Sequence, residues 1–164
     1  MFNFDSVGLM NIISDMNQDQ FADKPVIYGG AINQGRVNFK VELARVKKKM
    51  EAGATFFMTQ PVFSDEDISR LRQIKEETGA RILCGIMPFV SLRNATFMKN
   101  EMTGINVTDE ILARYSADMT KEEGEETGIQ IAKEIITKTS DFVDGYYFSF
   151  PFNRVHMLEK ILNA

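Results

Sequence analysis

The sequence predicts an α/β fold in which helices connect parallel strands. A strand followed by a helix recurs four times, and the strands begin near residues 26, 55, 81 and 142. The segment 54–58 is apolar at almost every position, which is typical of a strand buried on both faces of a parallel sheet. A proline closely follows three of the strands, where its missing N–H breaks no ladder bond: Pro61, Pro88 and Pro151. Two architectures fit this pattern, a small open doubly wound sheet and half of a (β/α)8 barrel.

The first half of the chain alternates helix and strand. Asp5-Ser6 caps an amphipathic helix that ends in the polar segment 17–20. A short strand over 26–31 contains Gly29-Gly30, a pair that indicates close approach by another element or a ligand. A basic amphipathic helix over 39–52 is closed by Gly53. The central strand then ends in the polar pair Thr59-Gln60, at the carboxyl end of the sheet, where α/β folds place their active and binding sites.

The second half continues the alternation with more helical sequence. Ser64 caps a helix closed by Gly79, and Thr108 caps a second helix. The remaining predicted elements are a strand over 81–87, a helix over 92–100, a helix over 127–139, a strand over 142–150 and a helix over 155–162. The acidic run 122–126 is typical of a solvated turn or a helix start.

Composition excludes several classes of protein. The 164 residues suffice for one compact domain, which we place at 1–164. A net charge of −4 argues against nucleic-acid binding, and no apolar run approaches the roughly 20 residues of a membrane span. The only cysteine, Cys84, cannot form an internal disulfide, and we expect it buried in a strand of a cytoplasmic protein. His156, the only histidine, has no metal-ligand spacing around it, so no metal site is predicted.

Several motifs together resemble the methylenetetrahydrofolate reductase family. They are Gly29-Gly30-Ala31, the helix 42–49, the run from Gly53 to Gln60, Gly85-Ile86-Met87-Pro88 and the closing Asn153-Arg154. The segments 5–9 and 91–95 resemble most closely the bacterial form fused behind a homocysteine S-methyltransferase domain. The resemblance implies a (β/α)8 barrel that binds FAD at the carboxyl ends of its strands. Such an enzyme passes a hydride from NAD(P)H through the flavin to 5,10-methylenetetrahydrofolate, yielding 5-methyltetrahydrofolate. This chain begins to match the family at the helix that follows the fourth strand of the barrel. The four strands of this chain are therefore expected to be the fifth to eighth barrel strands.

The resemblance assigns a cofactor site to one helix. The FAD-binding helix of the family matches Glu42, Arg45, Lys48 and Lys49, where neighbouring cations can reach a diphosphate and an acid one turn earlier can reach a ribose hydroxyl. Relatives carry an acid, an amide, an arginine and a lysine at these places. Lys48 therefore lacks the bidentate fork of arginine. Without the resemblance, Lys47-Lys48-Lys49 is typical of a solvated helix face.

The resemblance also implies three substrate contacts. Gln60 matches a glutamine that hydrogen-bonds the pterin, for which an amide offers both a donor and an acceptor. Asn94 matches a second folate-contacting glutamine, and Arg154 matches an arginine suited to the glutamate carboxylate of the folate. Met98 stands where relatives carry a phenylalanine that stacks on the substrate. The alternative to a substrate contact at Gln60 is a glutamine at a strand end that is held by loop backbone. The alternative at Arg154 is a surface arginine at the start of a helix.

The family's general acid and its flavin-tuning aspartate are expected upstream of this chain, so no catalytic residue is assigned within it. The leading hypothesis is an inactive carboxyl half of an FAD-dependent reductase. The second is a non-catalytic half-barrel that self-associates or pairs with an amino half, because open strand edges and an apolar inner face need covering. A third, weaker alternative is an open doubly wound nucleotide-binding domain, although Gly29-Gly30 is a poor phosphate cradle.

Overall fold

Four parallel strands form one sheet in the computed structural model, which describes residues 4–163. The strands are β1 (Gly29–Ile32), β2 (Phe56–Pro61), β3 (Ile82–Ile86) and β4 (Gly145–Phe148), and their order in the sheet is β1-β2-β3-β4. Each adjacent pair is parallel. This order lacks the reversal that marks a doubly wound sheet and is the order of neighbouring strands in a (β/α)8 barrel.

Within residues 4–163, seven α-helices and one short 3₁₀ turn connect and flank the strands. The helices are α1 (Ser6–Gln18), α2 (Phe39–Glu51), α3 (Asp65–Thr78), α4 (Leu92–Glu101), α5 (Asp109–Ala113), α6 (Lys121–Thr139) and α7 (His156–Leu162). The 3₁₀ turn spans Pro151–Asn153, directly after β4. The predicted α/β class with parallel strands and flanking helices is therefore confirmed.

Side-chain caps fix the starts of α1 and α3 as predicted. Asp5 accepts from the N–H of Gly8 at 2.8 Å, and Ser64 accepts from the N–H of Asp67 at 3.1 Å. Gly79 ends α3 with φ +67°, the left-handed conformation that glycine adopts without strain. These helix ends are determined by short-range chemistry, which is why the sequence predicts them.

The two faces of the sheet lie in different surroundings. Phe57, Ile82, Cys84 and Ile86 are fully buried, which confirms the burial predicted for Cys84. On the opposite face, Met58 is 39% exposed, and its register partner on β1 is an exposed alanine. The prediction that the central strand is buried on both faces is therefore wrong for residues 4–163, because their helices cover only one face.

The bounds of β1, β2 and β4 differ from those predicted. β1 begins at Gly29 rather than near residue 26, and the space beside its glycines is filled by the rings of Phe56 and Phe57. Pro61 is the last residue of β2 rather than following it, and it pairs with Gly85 after a register shift. β4 is shorter than predicted because the N–H groups of residues 142 and 143 both bond back to the carbonyl of Thr139 in α6.

Asp144 locks the amino ends of two strands together. Its Oδ2 accepts from the N–H of Ile82 at 2.8 Å and pairs with Lys75 of α3 at 2.7 Å. No helix within residues 4–163 has the length and apolar character needed to cross a bilayer.

Candidate functional site

The predicted binding residues gather at the carboxyl ends of the strands. Gln60 lies near the end of β2, Asn94 follows β3 on α4, and Arg154 follows β4 after the 3₁₀ turn. Because the strands are parallel and adjacent, all three residues lie at the same end of the sheet.

Gln34 holds the end of β2 in place. Its side chain is fully buried, donates to the carbonyl of Gln60 at 2.9 Å and accepts from the N–H of Gln60 at 3.1 Å. This pairing prolongs the contact between the loop after β1 and the end of β2. The side-chain amide of Gln60 itself is half-buried and has no hydrogen-bond partner within residues 4–163. Its donor and acceptor therefore remain available to a ligand.

Two of the four predicted cofactor residues bind the backbone near the end of β1. Glu42 is nearly buried, accepts from the N–H of Asn33 at 2.9 Å and lies 3.5 Å from Arg36. Lys49 is also nearly buried, and its ammonium donates to the carbonyl of Ala31 at 2.5 Å. Burial lowers the pKa of Lys49, a shift that Glu42 opposes.

The other two predicted cofactor residues, Arg45 and Lys48, are exposed. Neither forms an ion pair with any residue of the described chain. Residues three apart on a helix are surface neighbours, so their donors can serve one anion. The donor set therefore fits a diphosphate in part, because Lys49 can contribute only by leaving the Ala31 carbonyl.

Arg154 lies in a network that the sequence did not predict. Its Nε donates to Glu125 at 2.5 Å, and its guanidinium lies 5.3 Å from the ring centroid of Phe152. His156 contributes a second contact to Glu125, at 2.8 Å. Burial acts to raise the pKa of Glu125, but the hydrogen bonds from His156 and Arg154 outweigh it and hold that pKa below its ordinary value.

The acidic run 122–126 forms the start of α6, which was one of its two predicted interpretations. Its predicted solvation is wrong at Glu125, the fifth residue of α6, which is buried. The cause is close packing of α6 against the segment after β3. A Cβ at Gly124 would lie 2.3 Å from the carbonyl oxygen of Val90, and one at Gly128 would lie 1.9 Å from that of Phe89. The two glycines therefore bring Glu125 within reach of Arg154.

A cleft of about 700 Å³ opens between α4, the start of α6 and the 3₁₀ turn. A second depression of about 500 Å³ adjoins it and contains Asn94 and Phe97. Ser91, Arg93 and Phe152 line both, so the two form one groove. We call it the carboxyl-end groove; the other side chains that line its larger part include Thr96, Ser116, Met119, Thr120, Lys121 and Arg154.

The structure brings Asn94 and Arg154 to this groove. It places Gln60 and the α2 residues elsewhere along the carboxyl end of the sheet. The nitrogen of the Asn94 side chain has no partner within residues 4–163, while its oxygen accepts from the N–H of Val90 at 3.4 Å. Phe152 has φ +55°, an uncommon conformation for a phenylalanine, and is 75% exposed. Sequence reasoning missed Gln34, Glu125 and Phe152 because their roles depend on tertiary contacts.

The chain resembles a protein of known structure. It superimposes on an uncharacterized protein from Clostridium thermocellum that binds two copies of 5-methyl-5,6,7,8-tetrahydrofolic acid, with a TM-score of 0.61 and 16% sequence identity. The match covers 97% of this chain and 57% of that chain, so this chain spans little more than half of its neighbour's length. At this identity the likeness concerns the fold alone.

Comparison by sequence gives a second result. A search of curated proteins found no match. A family model described as methylenetetrahydrofolate reductase, however, matches residues 5–163, which is almost the whole chain. The chain therefore belongs to the methylenetetrahydrofolate reductase family.

Proposed function

We propose that this chain is the ligand-binding carboxyl half, strands five to eight, of an FAD-dependent 5,10-methylenetetrahydrofolate reductase. The observation that carries the proposal is that Gln60, Asn94 and Arg154 lie at or beyond the carboxyl ends of three successive strands, at one end of the sheet. Family membership supports the reaction, and the folate bound by the structural neighbour supports the substrate class. The parent enzyme in this proposal is the bacterial form fused to a homocysteine S-methyltransferase.

The three residues suit different parts of a folate. The free amide of Gln60 can donate to and accept from the edge of a pterin. The guanidinium of Arg154 is fixed through Nε by Glu125, which leaves its terminal nitrogens for a carboxylate of the substrate. The free amide nitrogen of Asn94 adds a donor between them.

In this proposal α2 is the cofactor helix. Arg45 and Lys48 supply exposed cations for the diphosphate of FAD, while Glu42 and Lys49 hold the end of β1 against α2. When bound, the flavin would carry the hydride from NAD(P)H to the folate. The residues of this chain bind and orient, and none is assigned to proton transfer.

The isolated chain is proposed to be catalytically inactive. Four strands do not close a barrel, and one face of the sheet is open within residues 4–163. A positioned general acid typically contributes a factor of about 10²–10⁴, and preorganised electrostatics contribute as much or more. Formation of 5-methyltetrahydrofolate by this chain, supplied with FAD, NADH and methylenetetrahydrofolate, would refute this part of the proposal.

Calorimetric titration with 5-methyltetrahydrofolate tests the binding role. Arg154→Ala should weaken binding about 10- to 100-fold, because a hydrogen bond to a charged group contributes roughly 1.5–3 kcal/mol. Gln60→Leu should also weaken binding, whereas Lys160→Ala, which removes an exposed cation on α7, should not. Equal affinities of Arg154→Ala and the unmodified chain would exclude the assignment of Arg154.

The open sheet face favours a second candidate, a non-catalytic half-barrel that self-associates or pairs with an amino half. β1 and β4 each have one unpaired edge among the described residues, and Met58 is partly exposed on the uncovered face. Size-exclusion chromatography with light scattering should give a dimer at micromolar concentration, and Met58→Asp should shift it toward monomer. A monomer at millimolar concentration would exclude self-association.

A further inference from the structure

The end of β2 departs from a regular parallel ladder next to Gln60. Met58 pairs with Leu83 and the following pair joins Pro61 to Gly85, so the chain advances three residues along β2 against two along β3. An extra residue of this kind is a β-bulge, which bends its strand and changes the direction of nearby side chains. The direction of the Gln60 side chain therefore depends on the groups that hold the bulge.

Three polar side chains bind the backbone of this bulge. Gln34 bonds the N–H and the carbonyl of Gln60 from the β1 side. The Thr59 hydroxyl donates to the carbonyl of Gln60 at 2.7 Å and accepts from the N–H of Gly85 at 2.9 Å. The Tyr147 hydroxyl donates to the carbonyl of Thr59 at 2.5 Å. The bulge is therefore held from both sides of β2.

Tyr147 reaches the bulge across an intervening strand. It lies on β4, β3 separates β4 from β2, and the register partner of Tyr147 on β3 is Gly85. A Cβ at Gly85 would lie 2.6 Å from the Tyr147 hydroxyl oxygen, so the glycine leaves the space that the tyrosine occupies. Burial raises the pKa of Tyr147, which keeps its hydroxyl protonated and able to donate at neutral pH.

The adjacent tyrosine has a different task. The Tyr146 hydroxyl donates to the carbonyl of Ile136 in α6 at 3.1 Å, on the face of the sheet that the helices cover. Because side chains alternate along a strand, Tyr147 lies on the opposite, less covered face, which is also the face of Met58. The Tyr147 hydroxyl therefore holds no helix in place, and its bond goes to the residue that precedes Gln60.

We propose that Tyr147 is a positioning residue that directs the free side-chain amide of Gln60 toward the pterin of a bound folate, and that Gly85 provides the space for it. This inference rests on the proposed folate-binding function. Binding residues keep a productive geometry only when hydrogen bonds from their neighbours restrict them. Loss of the Tyr147 hydroxyl should therefore weaken folate binding, although Tyr147 need not touch the ligand.

A double-mutant cycle, measured by calorimetric titration of the full chain with 5-methyltetrahydrofolate, tests the positioning role. Tyr147→Phe should weaken binding about 3- to 10-fold, the range set by the net contribution of one hydrogen bond. In the Gln60→Leu background the same change should have almost no further effect, because the amide that it positions is gone. Tyr146→Phe, which removes the same group on the other face, is the matched control and should leave the affinity unchanged.

Gly85→Ala is a second variant that leaves the chemistry of both Gln60 and Tyr147 intact. Its methyl group should displace the Tyr147 ring, so binding should weaken at least as much as in Tyr147→Phe. In the ligand-free protein, both variants should shift the side-chain amide resonances of Gln60 in proton–nitrogen correlation NMR spectra, whereas Tyr146→Phe should not. These resonances are assigned by their loss in Gln60→Leu.

The outcomes separate this inference from the proposed function. If the unmodified chain binds the folate and Tyr147→Phe binds it equally well, the inference fails and the proposed function stands. An equal loss of affinity with and without Gln60 would show that the Tyr147 hydroxyl only stabilises the fold, and the inference is then also wrong. If the unmodified chain does not bind the folate, both fail. Far-ultraviolet circular dichroism of each variant confirms that the fold is retained.

Discussion

Asp67 is a carboxyl group in the interior of the protein. It lies in the first turn of α3, it is fully buried, and neither of its oxygens has a partner in the described part of the chain. Burial raises its pKa to about 6, although the Ser64 hydroxyl and Arg70 oppose the shift. The start of a helix is a favourable place for a negative charge, which partly offsets the cost of burying it.

Replacing Asp67 by Asn should stabilise the protein above pH 6. A folded-state pKa of about 6, against an ordinary value of 3.8, means that the native state retains a proton that the unfolded state has lost. The stability contribution of Asp67 therefore falls as pH rises from about 4 to 6 and stays low above that. The shift corresponds to roughly 3 kcal/mol as an upper bound.

Urea unfolding at pH 4 and pH 7.5 measures this effect. Asp67→Asn should raise the free energy of unfolding at pH 7.5 relative to the unmodified chain, and the difference should shrink at pH 4. The control is Asp65→Asn, an exposed position in the same turn. A pH-independent difference between Asp67→Asn and the unmodified chain would contradict the assigned titration.

Glu125 is expected to have the opposite pH dependence. Its pKa is lowered, so its contribution is present above the ordinary carboxyl pKa of 4.5 and is lost as pH falls through the lower folded-state value. Glu125→Gln leaves the partly buried Arg154 without its counter-charge and should cost about 1–3 kcal/mol at pH 7. Thermal unfolding of Glu125→Gln tests this expected loss of stability, and Glu122→Gln, at an exposed neighbouring position, is the control. A change as small as that of the control would show that the network adds nothing to stability.

Among the elements, α6 packs closely against the backbone of the segment after β3. Gly124 and Gly128 lie one turn apart and let the helix approach the carbonyls of Val90 and Phe89. The hydroxyl of Tyr115 also donates to the carbonyl of Phe89, at 3.2 Å. This packing sets the width of the carboxyl-end groove, because α6 and the segment after β3 form two of its walls.

Gly128→Ala should destabilise the protein strongly. In a helix interior this change ordinarily gains up to about 1 kcal/mol. Here the new methyl group would lie 1.9 Å from a backbone oxygen, which cannot move aside as a side chain can, so we expect a net loss of about 2 kcal/mol or more. Differential scanning calorimetry should show a lower Tm for this variant. Gly8→Ala in α1, where the nearest atom belongs to a side chain at 3.2 Å, is the matched control and should stay within about 1 kcal/mol. A Tm equal to that of the control would mean that α6 can move away from the Phe89 carbonyl and accommodate the methyl group.

Local chemistry explains why the elements were easier to predict than the site. Asp5, Ser64 and Thr108 each cap a helix through a contact three residues away, which a sequence displays directly. The burial of Glu125 depends on two glycines meeting the backbone of another segment, and no local pattern reveals that. Likewise, β4 is shorter than its apolar run because Phe142 is used to close α6.

At the scale of the whole molecule, the sheet has two inner strands and two edges. β2 and β3 bond to neighbours on both sides, while β1 and β4 bond on one side only among residues 4–163. We expect native-state amide hydrogen exchange to be slowest in β2 and β3 and faster in β1 and β4. Equal protection of all four strands would indicate that another chain covers the edges, and dilution would then lower the protection of β1 and β4 selectively.

The sequence predicted parallel strands with binding residues at their carboxyl ends, but not all the contacts that form there. Alternation of strand and helix indicates parallel pairing because parallel neighbours need long connections. The positions of Gln60 and Arg154 at the same end of the sheet follow from parallel pairing alone. The partnership of Gln34 with the backbone of Gln60 does not, because it joins two loops whose conformations are not encoded by periodicity.

The consecutive strand order has a consequence for how the chain acquires its structure. The register partners Leu83 and Gly145 are more than twice as far apart along the chain as Gly29 and Phe56. Each doubling of a closed loop costs only about 0.6 kcal/mol in entropy, but that cost is incurred before the contact forms and so delays it. The first three strands should therefore assemble early and the fourth should dock last. Pulse-labelled exchange during refolding should accordingly protect Tyr146 after Cys84, and the groove between α4 and α6 should form in that final step.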